Sequence, residues 1–127
     1  MMRSSIDASS GFFVFRSLVW LTLLGIAVQF FLAGLTVFGG GAGWEVHAAT
    51  GGALALPILI VFAMTLRGVL ARFRGFASLL LGGYLVQVTL AALGDGLPML
   101  GALHPVNGLA MGLVAFVLVG RIRQRRP

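Results

Sequence analysis

Two histidines, His47 and His104, are the only ones in the chain, and each follows a glutamine at nearly the same distance. Gln29 lies 18 residues before His47, and Gln87 lies 17 before His104. The glutamines sit in matching apolar runs, VQFFLAGL at 28–35 and VQVTLAAL at 86–93. The runs are offset by 58 residues, while the histidines and the glycines Gly51 and Gly108 are offset by 57. The chain therefore reads as two copies of one helix pair, with one residue fewer in the second connecting loop.

Two imidazoles brought to equal depth form the axial ligand set of a low-spin b-type haem. The neighbours suit a flat ring. Both histidines open the pattern His-x3-Gly-x3-small, through Gly51 and Ala55 in one copy and Gly108 and Gly112 in the other. On a helix these positions share the histidine's face, and a missing side chain there admits a macrocycle. Small residues four apart are also the ordinary means by which membrane helices pack. On that second reading the histidines are structural. Gln29 and Gln87 divide the same way. They orient a ligating imidazole from behind, or they join helices by hydrogen bonds. A zinc site would draw on His47, His104 and a loop carboxylate, Glu45 or Asp95. No HExxH motif supports it, and the chain has no cysteine.

The elements that position these residues are membrane spans. Of 127 residues, 59% are hydrophobic and 9% charged, with a mean hydropathy of +1.06. A soluble domain carries about a quarter charged residues. Apolar runs are expected at approximately 16–38, 44–66, 76–94 and 99–120. About 20 helical residues cross a 30 Å hydrocarbon core. The expected fold is all-α: one membrane domain over 1–127, an up-down four-helix bundle built of two parallel-repeat hairpins. Pro57 is expected to kink the second helix. Pro105 loosens the helix behind His104, and Asn107 lies one turn further on as a local cap or ligand contact. Trp44 reads as an interfacial anchor, and Tyr84 as a mid-span residue.

All nine basic residues are arginines, in three clusters: Arg3 and Arg16; Arg67, Arg72 and Arg74; and Arg121, Arg123, Arg125 and Arg126. With both termini in the cytoplasm, every arginine is cytoplasmic and the outer loops hold only Glu45 and Asp95. This predicts a multi-pass protein of the cytoplasmic (inner) membrane, not a cleaved signal peptide. The same clustering argues against a nucleic-acid partner. Contact of the terminal arginines with anionic lipid is a lesser role beside that of topology signal.

The run Q87-x4-A92-x11-H104, with Leu97 and Pro98 between, resembles the corresponding stretch of haem A synthase over roughly residues 14–123. The paired QFFLAG/QVTLAA and HxxxG patterns resemble more closely a family of small uncharacterised bacterial four-helix membrane proteins. In each half of haem A synthase, histidines on the second and fourth helices ligate or receive a haem. The resemblance implies that role for His47 and His104. The synthase has a glutamate three residues before its catalytic-half histidine and an arginine just after. Here Glu45 is two before and Ala48 follows, and one half supplies one haem site, so haem A synthesis is not expected.

The sequence therefore carries one leading expectation and one alternative. The first is a membrane protein binding haem b through His47 and His104, with Gly51, Gly108, Gln29 and Gln87 around it. It would transfer electrons or handle haem near the outer face, with a redox or haem-handling membrane partner. The alternative is a structural or accessory membrane protein without a cofactor. A transporter is a weaker third reading, because the spans hold no mid-membrane charge.

Overall fold

The computed structural model describes the backbone of residues 2–41 and 43–124, with side chains from Ser10 onward within those ranges. Arg125, Arg126 and the Arg3 side chain lie outside the described residues. The elements of the described residues are all helical: α1 (Met2–Val37), α2 (Trp44–Ala53), α3 (Ala55–Met64), a 3-10 segment (Gly68–Phe73), α4 (Arg74–Gly94) and α5 (Pro98–Arg123). These elements make four apolar crossings, Ser10–Val37, Trp44–Met64, Gly68–Gly94 and Pro98–Arg123. The fold is an all-α, four-helix membrane-spanning bundle. Helix α1 packs against α2, α3 and α5, and α4 packs against α5 and α3.

Buried positions recur at helical spacing. Phe15, Val19, Thr22 and Ile26 form one stripe of α1, and Met111, Ala115, Leu118 and Ile122 one stripe of α5. Apart from the polar Thr22, they form the apolar core together with Ile58, Val61, Phe73, Ala77 and Leu80. Most of this core lies in the half of the bundle that bears the arginines. Opposite faces carry bare apolar side chains such as Phe31, Leu59, Leu79 and Phe116, as a bilayer requires. Lipid tails are as apolar as leucine, so burial alone does not hold such helices together. Close fit and interhelical hydrogen bonds do.

Chain breaks follow local chemistry. Gly39 and Gly41 carry φ of 73° and 82° in the first connection, a region that costs a residue with a Cβ. The second crossing breaks at Leu54, three residues before Pro57, because proline has no N–H for the carbonyl four residues back. The Tyr84 hydroxyl, reaching from α4, donates to the carbonyls of Gly51 (3.3 Å) and Gly52 (3.2 Å) beside this break. At the other end of α3, Arg74 closes the helix. Its Nε donates to the Thr65 carbonyl at 3.1 Å and its Nη2 to the Leu66 carbonyl at 2.6 Å. A cation at a helix C-terminus also complements the dipole. Arg74→Ala is expected to lower stability by about 1 kcal/mol. Amide hydrogen exchange checks this: faster exchange should be confined to the turn at residues 65–73.

Candidate functional site

The two histidine-glutamine pairs assemble at the end of the bundle opposite the arginines. In each pair the imidazole Nδ1 reaches back to a backbone carbonyl on the preceding crossing. His47 Nδ1 lies 3.2 Å from the Gln29 carbonyl, and His104 Nδ1 donates to the Gln87 carbonyl at 3.1 Å. A carbonyl only accepts, so the His104 ring, whose Nε2 faces the Gln87 amide nitrogen, carries its proton on Nδ1. The two rings then meet, with centroids 6.1 Å apart and planes at 57°. Trp44 stands edge-on to His47, 5.6 Å between centroids.

Each glutamine amide completes its own cluster. The Gln87 amide nitrogen donates to His104 Nε2 at 3.1 Å, and its oxygen accepts from Asn107 Nδ2 at 2.6 Å. Asn107 Nδ2 also donates to the Gly83 carbonyl at 2.9 Å. In the amide orientation that satisfies its neighbours, the Gln29 nitrogen donates to the His47 carbonyl at 2.9 Å, and its oxygen accepts from the Gly51 N–H at 3.1 Å. That oxygen lies 2.7 Å from the Thr50 hydroxyl, which is also 2.7 Å from the Val46 carbonyl. Thr50 and Asn107 are thus counterparts, each three residues after its histidine. Among the described residues no fully buried side-chain nitrogen or oxygen lacks a partner, as a buried polar group in a membrane requires.

Glycines make the approach feasible. A Cβ on Gly51 would stand 2.9 Å from the Gln29 amide, and one on Gly108 would stand 3.2 Å from Gln87 Nε2 and 3.4 Å from the Phe30 ring. One turn before each glutamine lies a second matched contact. Gly25 of α1 receives the side chain of Leu54, and Gly83 of α4 receives Met111, whose Cγ would lie 2.8 Å from a Cβ at 83. Gly25 and Gly83 are 58 residues apart, and Leu54 and Met111 are 57 apart. The repeat offset therefore holds for hydrogen bonds and for steric fit alike.

This geometry corrects the haem b expectation. The notches at Gly51 and Gly108 are filled by the protein's own glutamines and by Phe30. Ile26 lies in ordinary contact with the position a Cβ on Gly112 would take, at 3.6 Å. At His104 the nitrogen that would bond iron is already hydrogen-bonded to Gln87. Among the described residues no group of three or more His, Cys, Asp or Glu side chains is placed to hold a metal ion. The zinc alternative fails on the same ground, since neither Glu45 nor Asp95 completes a ligand set with the histidine pair. Expectations of bound iron and of electron transfer or haem handling through it fall with the cofactor.

Asn107 was legible as a polar residue near His104. Thr50 was not singled out, although its offset of 57 from Asn107 was available in the sequence. Nor were Gly25 and Gly83, which look like any other small residues in a span.

Residues 29–93, half of the chain, match the family of unknown function DUF6220, and the chain belongs to that family. The match spans both glutamines and His47. No curated protein and no solved structure matches the chain, and none of these findings links it to haem A synthase.

Proposed function

For a member of a family whose function is unknown, we propose a non-enzymatic role: a structural or accessory membrane bundle that works without a cofactor. One observation carries this reading. The positions that a prosthetic group would take beside the two imidazoles are occupied by Gln29, Gln87 and Phe30. The Gln-His-Thr and Gln-His-Asn clusters then act as locks. Each ties a pair of neighbouring crossings at the end where the apolar core is thinnest.

The finer organisation belongs to the same proposal. A single membrane domain is built of two parallel-repeat hairpins, supported by the 57- and 58-residue offsets. It sits in the cytoplasmic membrane with both termini inside, supported by nine arginines falling at the ends and the middle connection of the chain. An accessory role implies another membrane protein as partner.

The test is an absorption spectrum. Protein expressed with haem supplied and purified in detergent is expected to show no Soret band in proportion to the polypeptide, before or after dithionite. His47→Ala and His104→Ala should leave that spectrum unchanged while lowering resistance to unfolding. A stoichiometric Soret band lost in both variants would overturn the proposal.

A further inference from the structure

At the arginine-bearing end an open groove of about 470 Å³ runs along α1, lined by Arg16, Ser17, Trp20, Leu21 and Leu24 and bordered by Arg123 of α5. Its upper rim is cationic. Arg16 stands 5.8 Å from the Phe13 ring centroid, and Arg123 stands 5.9 Å from that of Trp20. Among the described residues neither guanidinium pairs with a carboxylate: Glu45 and Asp95 lie at the opposite end of the bundle, and the Asp7 side chain lies outside the described residues. Arg16 is half-buried and sits inside the first crossing, Ser10–Val37. Two arginines thus face one groove at the arginine-bearing end of the bundle.

Below the rim the groove becomes apolar. Trp20 is one turn deeper than Arg16, at the level where indole rings favour the interface. Leu21 and Leu24 follow on the same face of α1, 54% and 57% exposed. A free phosphate would use only the rim. A ligand with a phosphate head and hydrocarbon tails would use the whole length. Basic pockets between helices at a membrane surface suit anionic headgroups, and arginine presents paired donors that match phosphate oxygens.

We propose that this groove is a binding site for an anionic phospholipid, with Arg16 and Arg123 holding the headgroup phosphate and Trp20, Leu21 and Leu24 lying along an acyl chain. The site is separate from the histidine clusters and does not depend on the role assigned to them.

The two tryptophans make the test direct, since Trp20 lines the groove and Trp44 lies at the far end. In the Trp44→Phe background, Trp20 is the only indole. Full-length protein is titrated in mixed micelles with phosphatidylglycerol bearing brominated acyl chains, and in parallel with brominated phosphatidylcholine. Phosphatidylglycerol is expected to reach half-quenching at about 25-fold lower mole fraction, about fivefold for each arginine near the phosphate. Arg16→Gln or Arg123→Gln alone should each remove about fivefold, and the double variant should bring the two lipids together. Arg16→Lys with Arg123→Lys keeps the charge and should retain part of the preference. Arg72→Ala, on another groove, should leave it intact. Coincident curves for the two lipids, an equal loss in Arg72→Ala, or an undiminished preference in the double Gln variant overturns the site. Displacement of the brominated lipid by inorganic phosphate alone also overturns it, because the rim would then be an ion site.

Discussion

Gln87→Leu is expected to destabilise the bundle by about 2 kcal/mol. The substitution puts an apolar side chain of similar size against Gly108, so the change is mainly one of polarity. It removes the bond to His104 Nε2 at 3.1 Å and the bond from Asn107 at 2.6 Å. Interhelical hydrogen bonds in membranes average about 0.6 kcal/mol and reach about 1.7. Two such bonds give ~1–3 kcal/mol. The imidazole also loses the donor that satisfied its free nitrogen, whereas Asn107 keeps its bond to the Gly83 carbonyl. Unfolding in micelles with rising dodecyl sulfate measures the loss. A double-mutant cycle with His104→Leu isolates the pair, with an expected coupling of about 1 kcal/mol. A change below about 0.3 kcal/mol in Gln87→Leu would mean that α4 and α5 are held by fit alone.

The crossings and the polar pairs were legible because each rests on a local rule. Apolar runs of crossing length, interrupted by glycine, proline and arginine, admit few other readings. Gln29, His47, Gln87 and His104 were conspicuous because polar side chains are rare in such runs and their spacing repeats. The error concerned the glycines. A missing Cβ at 51 or 108 announces that something comes close, but not what. A porphyrin and a neighbouring glutamine make the same demand on the sequence. Only the relative placement of α1 against α2, and of α4 against α5, decides between them, and no local rule fixes that placement. Arg74 shows the same limit. Its charge marked a membrane side, while its service as the cap of α3 depends on how the 3-10 segment turns.

Gly83→Leu is expected to cost ~2–3 kcal/mol, and Gly25→Leu about the same, by overpacking. The mechanism is steric and independent of the polar clusters. Met111 is nearly fully buried at 5% exposure, and its Cγ would lie 2.8 Å from the new Cβ. Methionine is flexible, but its contacts in the core and the Asn107 Nδ2 contact at 3.7 Å to its sulfur leave it little room. Either the side chain leaves its rotamer or α4 and α5 part. Compensation distinguishes this from loss of helix propensity, because leucine is a better helix former than glycine. Met111→Ala should recover about half of the loss in Gly83→Leu, and Leu54→Ala should do so for Gly25→Leu. Crossing the partners, Met111→Ala with Gly25→Leu, should recover nothing. If each hole accepts relief only from its own knob, the 57- and 58-residue offsets mark two independently packed helix pairs. Recovery without regard to pairing would show instead that the bundle relaxes as one loose body, and the matched contacts would lose their mechanical meaning.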